Sequence, residues 1–192
     1  MYKIIEVSDR IRVPPEKFDL DLEEAVKASL EARWDCITDK NLGVVLSVNS
    51  VNNIGEGIIL PGDGAIYYPV DFTVLSYKPE QHEIVKGEVI DVVEFGVFVR
   101  IGPVDGMIHV SQLMDDFVSY DAKNSMFIGK KTKRKIKEGD IVIARIISIS
   151  FIGNQYKIGL TIRQPGLGVL DWFKEEKKEK KPKKETKAGK SK

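Results

Sequence analysis

Residues 95–113 of the chain are FGVFVRIGPVDGMIHVSQL, and this stretch decides the fold of the region around it. Apolar β-branched residues alternate with other side chains in both of its halves, which is the period of two expected of strands with one buried face. We expect the buried face to comprise Val97, Val99, Ile101, Ile108 and Val110. The opposite face then carries Phe98, Arg100 and His109.

Alternating runs on both sides of this stretch predict a small all-β domain. Its five strands are expected at about residues 85–91, 96–101, 106–110, 141–149 and 156–162. Five short strands with few helical signals are typical of the OB fold, a Greek-key barrel. On the last strand, Lys157, Thr161 and Arg163 are expected to face outward. A long insertion at roughly 115–138 is expected to be a loop, functional or partly helical.

The outward face of this barrel combines an aromatic ring, a histidine and cations, which predicts a stacking platform for unpaired bases. Phe95 precedes Gly96, where a bulge could turn the ring either way, so stacking and packing both stay open for it. The insertion carries six further cations, for which a solvated loop and a phosphate contact are both open. They are Lys130, Lys131, Lys133, Arg134, Lys135 and Lys137.

The first part of the chain predicts a small α+β sheet with one covering helix. Ile5, Val7, Ile11 and Val13 share one strand parity, and a proline pair at 14–15 ends that strand. Helical spacing of apolar residues predicts a helix at about 21–37, beginning with a capping box formed by Asp21 and Glu24. Further strands are expected around Val44, Leu46 and Val48, at 58–60, and around Val70, Phe72 and Val74.

Glycines surround the short apolar segment 58–60 and predict a compact, partly apolar tip. We interpret this tip as a docking surface for a larger protein, with ordinary hairpin turns as the alternative. Its spacing does not fit a phosphate-binding loop. The residues assigned to the tip are Gly55, Gly57, Ile59, Leu60, Pro61, Gly62, Asp63 and Gly64.

The charge of the 192-residue chain is nearly balanced overall, with 30 Lys and Arg against 29 Asp and Glu, but it is unevenly distributed. Residues 1–79 carry a net charge of −5, residues 80–173 of 0, and residues 174–192 of +6. The last segment is expected to be a disordered Lys-rich tail that either improves solubility or contacts phosphate non-specifically.

Several classes of protein are excluded by what the sequence lacks. No apolar run approaches the ~18 residues of a membrane span, and the amino terminus does not resemble a secretory signal. Cys36 is the only cysteine, which excludes an intrachain disulfide and a thiolate zinc site and suggests the reducing cytoplasm. No catalytic constellation is evident, and Asp115-Asp116, the nearest metal candidate, is interpreted as a solvated turn. We expect no cofactor, no metal and no catalytic site.

Three segments together resemble the S1 RNA-binding domain: KGEV at 86–89, FGVFV at 95–99 and DGMIHVSQL at 105–113. KEGD at 137–140 and IGLTIR at 158–163 fit the end of that domain. The resemblance implies that Phe95, Phe98, His109 and Lys157 line an RNA-binding face.

The whole chain is similar to the E-prime family of archaeal RNA polymerase subunits, the counterpart of the seventh subunit of eukaryotic polymerase II. The segment ILPGDGA at 59–65 and the opening MYK, with DRIRVP at 9–14, support this. The resemblance implies a non-catalytic stalk subunit that pairs with a small stalk partner, the F polypeptide of the polymerase. Its N-terminal domain (1–79) is expected to dock on core subunits near the clamp, and its S1 domain (80–173) to bind nascent single-stranded RNA.

Other proteins with S1 domains remain alternatives. An accessory of RNA decay, such as an exosome cap protein, or of translation initiation would carry the same RNA face. The exosome types resemble this chain less, because one contains a zinc ribbon that a single cysteine cannot build. The translation factor places its S1 domain first, in the reverse order.

Overall fold

A computed structural model describes residues 1–173 in two compact units; the basic tail expected at 174–192 lies outside the described residues. The first unit comprises Met1–Gln81 together with Ile149–Lys157. The second comprises His82–Ser148 together with the described residues 158–173.

The first unit contains an antiparallel sheet covered by one helix, α1 (Leu22–Trp34). The strands are β1 (Tyr2–Val13), β2 (Thr38–Asp39), β3 (Gly43–Ile54), β4 (Ile58–Ile59) and β5 (Ile66–Tyr77). Their order in the sheet is β1-β5-β3-β2, with β4 paired to β5. A 3-10 helix at Pro15–Lys17 follows β1, where the prolines end the strand as predicted.

The core of the first unit lies between α1 and the sheet. Ile11 and Val13 of β1 are buried, and the predicted parity of β1 is confirmed. From α1, Val26 and Leu30 are fully buried against the sheet, where they meet Phe72. The predicted α+β fold with one covering helix is therefore confirmed.

Three details of the first unit differ from the prediction. The helix ends at Trp34, and Asp21 occupies the N-cap position without a side-chain cap hydrogen bond, so the capping box does not form. In β3, burial does not follow the strict alternation expected of a strand, because the buried valines, Val45 and Val48, are three residues apart. Register shifts interrupt the β3–β5 pairing at three places, and each extra residue of a bulge moves the following side chains to the other face.

The second unit is the predicted barrel. The strands of its sheet are β6 (Ile84–Val93), β7 (Gly96–Arg100), β8 (Asp105–His109), β12 (Ile141–Ile152), β13 (Gln155–Thr161) and β14 (Gly168–Val169), of which the adjoining ends of β12 and β13 belong to the first unit. Their order is β13-β8-β7-β6-β12-β14, and an additional β13–β12 pairing closes the sheet. Val97, Val99 and Ile108 are fully buried inside it, as the alternation predicted.

Gly96 allows a close approach between β7 and β8. A Cβ atom at this position would lie 2.4 Å from the carbonyl oxygen of Ile108. Any other residue would push the two strands apart, so the glycine is required by packing rather than by backbone conformation.

The insertion forms a second sheet, so its prediction as a loop was wrong. The strands β9 (Val118–Asp121), β10 (Met126–Gly129) and β11 (Lys135–Lys137) are antiparallel and have the order β11-β10-β9. Phe127 and Ile136 are almost completely buried and give this small sheet its own apolar contacts. The cations at 130–137 therefore lie on a tight turn and the strand that follows it.

Two further features concern the single cysteine and the lengths of the helices. Cys36 is exposed just after α1, in a left-handed conformation with φ 61°, and its N–H donates to the Val45 carbonyl at 3.1 Å. Within residues 1–173, no helix has the length and apolar character needed to cross a membrane.

Candidate nucleic-acid interface

Two phenylalanines lie at the start of β7 and form the centre of the candidate interface. Phe95 is 54% exposed, and Phe98 is half-buried on the outward face of the strand. Their ring centroids are 6.3 Å apart with an interplanar angle of 88°, an edge-to-face arrangement. This exposure speaks against packing of Phe95 in the core, and base stacking stays a prediction for it.

His109 lies on the neighbouring strand, directly across the pairing from Gly96. It is exposed, and its Nδ1 is 2.9 Å from the Ser111 hydroxyl and accepts from the Ser111 N–H at 3.3 Å. Because Ser111 occupies Nδ1, Nε2 is the ring nitrogen that a ligand can reach.

Met107 continues the surface beside the rings. Phe98 pairs across with Met107, and Met107 pairs on its other side with Gly159. The space above Gly159 is filled, because a Cβ atom at this position would lie 2.4 Å from the Ser148 hydroxyl oxygen. We define Phe95, Phe98, Met107 and His109 as the barrel face.

The cations predicted beside the barrel face differ in their ion pairing and in the compact unit to which they belong. Arg100 is exposed and forms an ion pair with Asp105 at 3.3 Å, so its charge is partly neutralised. Lys157 is exposed too, but it belongs to the first compact unit, whereas the rings belong to the second.

The end of the last strand corrects the predicted outward set. Thr161 is 4% exposed, not outward-facing, because its hydroxyl donates to the Gln112 side chain at 2.9 Å. Arg163 lies beyond β13 and is exposed, and its Nε is 3.1 Å from Oδ1 of Asp115. The β13 alternation thus ends one residue earlier than the sequence pattern suggested.

The basic cluster divides between two surfaces instead of forming one. Lys131 lies with Arg163 along one groove. Lys133, Arg134, Lys135 and Lys137 line another hollow, where the Arg134 guanidinium is 5.1 Å from the centroid of the Trp172 ring. Lys130 is exposed on the turn between them.

Sequence reasoning missed Phe117, whose ring is 74% exposed. Its neighbour Asp116 is no solvated turn residue, because Oδ2 accepts N–H groups of Lys131 at 2.8 Å and Thr132 at 2.9 Å. These hydrogen bonds, the Thr132 one first, hold the pKa of Asp116 below its ordinary value. The sequence shows only that a phenylalanine follows two aspartates, which does not predict its exposure. The structure of the insertion is needed to show that the Phe117 ring is not buried.

The predicted tip is apolar and exposed. Ile59 is 69% exposed and Leu60 41% exposed, and Gly62 adopts a left-handed φ of +92° in the turn. Gly55 and Gly57 precede β4, and Pro61 and Gly64 complete the exposed turn. Among residues 1–173, no group of His, Cys, Asp and Glu side chains is arranged to hold a metal.

Asp63 ties the tip to β1. It accepts two hydrogen bonds from Arg12, at 2.8 and 2.9 Å, and one from the Tyr67 hydroxyl at 2.7 Å. The Arg12 bond, followed by that of Tyr67, holds the pKa of Asp63 far below its ordinary value, and Asp63 in turn raises the pKa of Arg12 and of Tyr67.

Comparison with known families agrees with both units. Residues 78–150 match the S1 RNA binding domain, and residues 8–64 match the SHS2 domain found in the N terminus of Rpb7p/Rpc25p/MJ0397. DNA-directed RNA polymerase subunit Rpo7 of Saccharolobus solfataricus is 41% identical over 93% of this chain and 100% of its own length.

More distant proteins are similar over less of the chain. DNA-directed RNA polymerase V subunit 7 of Arabidopsis thaliana is 30% identical over 70% of this chain and 78% of its own length. The solved structure of apo RNase R from Mycoplasma genitalium is 27% identical, with a TM-score of 0.37, over 42% of this chain and 13% of that one.

Proposed function

Since the chain belongs to the family of DNA-directed RNA polymerase subunits that includes archaeal Rpo7, we propose that it is a non-catalytic stalk subunit that binds emerging single-stranded RNA. In this proposal it pairs with a small stalk partner, the F polypeptide of the polymerase, and docks on the core near the clamp. The division of labour follows the predicted domains, with docking assigned to residues 1–79 and RNA binding to residues 80–173.

The barrel face is the observation that carries the RNA-binding part. Phe95 and Phe98 expose ring surface beside His109, within the segment that matches the S1 RNA binding domain. Stacking of a base on an aromatic ring is sequence-tolerant, because every base has a π-face. Such a face suits a protein that meets transcripts of any sequence.

The tip supports the docking part. Ile58, Ile59 and Leu60 expose aliphatic side chains together at one end of the first unit. Aliphatic groups cannot stack on bases as rings do, but they bury well in a pocket of another protein. The network around Asp63 holds this tip in one conformation, which lowers the entropy lost on docking.

The edge of the first sheet supports pairing with a second chain. β1 lies at the end of the strand order, and its residues Tyr2 and Ile4 are 53% and 70% exposed. An edge strand with exposed apolar residues is a site that another chain can cover. We assign it to the small stalk partner, while the core subunits take the tip.

The test uses polymerase purified through a tag on another of its subunits, stalled with a radiolabelled, photoreactive transcript. We expect this chain to co-purify and the label to crosslink to peptides containing residues 95–109. Absence of the chain from the enzyme overturns the stalk assignment. Presence of the chain with crosslinks confined to other subunits overturns the RNA-binding part alone.

A further inference from the structure

Phe117 has the largest exposed fraction, 74%, among the exposed large hydrophobic side chains of residues 1–173. It stands on the insertion, outside the barrel face. A ring this exposed gains no stability from the fold, whereas it gains by covering its surface with a ligand.

The backbone under this ring is fixed. The Phe117 N–H donates to Oδ1 of Asp116 at 2.6 Å, and its carbonyl accepts from the Lys130 N–H at 2.9 Å. The other carboxylate oxygen of Asp116 anchors the N–H groups of Lys131 and Thr132. The ring is thus presented on an ordered turn, and ligand binding need not order the loop first.

A groove of about 330 Å³ lies beside Phe117, and both of its cations are exposed. This groove, called the Phe117 groove below, holds two cations, Lys131 and Arg163, and two carboxylates, Asp115 and Asp116, beside the ring, and Ser111 and Met114 are also among its lining residues. Ser111 also bonds to His109 of the barrel face, so the groove continues from that face. An aromatic ring that shares a groove with two cations can take a base and a neighbouring phosphate.

We propose that the Phe117 groove is a second subsite for the same RNA strand, with a base stacked on Phe117 and phosphate contacts from Lys131 and Arg163. The inference rests on the proposed function, because the strand reaches the groove from the barrel face. We favour RNA over an apolar protein segment because the groove presents the exposed ammonium group of Lys131 and an exposed Arg163–Asp115 pair that a phosphate can open.

Asp115 acts as an internal competitor in this subsite. It is 79% exposed and pairs with Arg163, which is 51% exposed. A pair this exposed to water contributes little to stability, so a phosphate can displace the carboxylate at small cost. Removing the Asp115 charge should therefore tighten binding of an RNA long enough to reach the groove.

The test measures binding of the full chain to two fluorescent RNA oligonucleotides, of about 4 and about 12 nucleotides, which span the site sizes of OB folds. Phe117→Ala should weaken binding of the long RNA roughly 5- to 100-fold and leave the short RNA unchanged. Phe98→Ala should weaken both. Phe18→Ala, which removes a ring 47% exposed on the first unit, should weaken neither.

The outcomes separate the two proposals. If Phe98→Ala weakens binding and Phe117→Ala does not, the groove is not an RNA subsite, while the barrel face stands. Equal weakening of both lengths by Phe117→Ala would place Phe117 in the primary site and overturn a second subsite. If neither variant affects binding, the proposed RNA function itself fails.

Variants of the charged residues test the Phe117 groove without changing the ring. Asp115→Asn should tighten the long RNA several-fold and leave the short RNA unchanged, and unchanged or weaker long-RNA binding contradicts the competition. Lys131→Ala should weaken the long RNA, whereas Lys123→Ala, an exposed lysine on the β9–β10 turn, should not. Equal effects of the two lysine variants would reduce the groove to general electrostatic attraction and overturn it.

Discussion

The barrel face and the tip both expose large apolar side chains, but they differ in shape and in nearby charge. Phe95 presents a flat ring beside His109, and cations lie on the insertion that follows. Ile59 presents a branched aliphatic group, and the nearby Asp63 and Arg12 neutralise each other. The difference teaches that exposure alone does not identify a partner: flat rings with cations fit nucleic acid, and neutral aliphatic groups fit protein.

The largest effect is expected at the tip. Leu60→Asp places a charge on a surface proposed to be buried in the core, and a buried unpaired charge is strongly unfavourable. We expect the chain to be almost absent from polymerase purified through another subunit, while its RNA affinity stays unchanged. Quantitative gel or mass analysis of the purified enzyme measures the first, and a titration with labelled RNA the second.

Leu22→Asp is the matched control for Leu60→Asp. Leu22 is 44% exposed, close to the 41% of Leu60, and lies in the first turn of α1, where an acidic residue is favourable. It should leave co-purification intact. Equal loss with both variants would show that any charge on the first unit disrupts assembly and would remove the distinction drawn for the tip.

Phe98→Ala should weaken single-strand RNA binding by about 1–3 kcal/mol, the contribution of one stacked base. The measurement is a fluorescence titration with a labelled oligonucleotide, accompanied by thermal unfolding of the variant because the ring is half-buried. A lower unfolding temperature with unchanged affinity would assign the ring to packing.

Neutralising the turn cations should change the salt dependence more than the affinity at low salt. Replacing Lys130 and Lys131 by Gln should reduce the slope of log K against log salt by ~0.7 for each phosphate that is no longer neutralised. The strand pair Lys135 and Lys137, replaced in the same way, shows which of the two basic surfaces the RNA follows. An unaltered slope in both variants would exclude this cluster from the RNA path.

The smallest effect is expected from Asp63→Asn and concerns stability. The folded pKa of Asp63 is depressed by Arg12 and Tyr67, so its ionised form stabilises the fold above its ordinary pKa of about 4. This stabilisation is lost as pH falls towards the depressed value. The variant should therefore be slightly less stable than the wild type at neutral pH, with a difference that narrows at acidic pH.

Urea unfolding at several pH values measures this difference. Arg12→Gln should reproduce most of the loss, and the double variant should add little to either single change, because both remove one interaction. Additive losses would show that Asp63 and Arg12 act separately.

The sequence predicts the strands of the barrel well because one face of each strand is buried. Val97, Val99 and Ile108 alternate strictly and are all fully buried. The same reasoning fails in β3, where bulges shift the parity, and at Thr161, where a hydrogen bond to Gln112 compensates for burying a hydroxyl. The alternation of apolar and polar residues along a sequence reveals neither a bulge nor a side-chain partner that is distant in the chain.

The candidate site could be predicted in part for the same reason. His109 and Phe98 lie on the outward positions of regular strands, and alternation of apolar residues with a period of two can locate such positions. Phe117 lies outside any strand, and its exposure depends on the hydrogen bonds of Asp116 to residues 15 and 16 positions away. The division of the basic cluster depends likewise on the pairing of β11 with β10, which the composition of a lysine-rich segment does not encode.

Cys36 gives the molecule a practical property. It is the only cysteine of the chain and is exposed after α1. A maleimide dye or spin label will therefore attach at one known position without any engineered cysteine or any removal of others. Because the Cys36 N–H is bonded to Val45, the label sits on an ordered backbone and reports motion of the first unit as a whole.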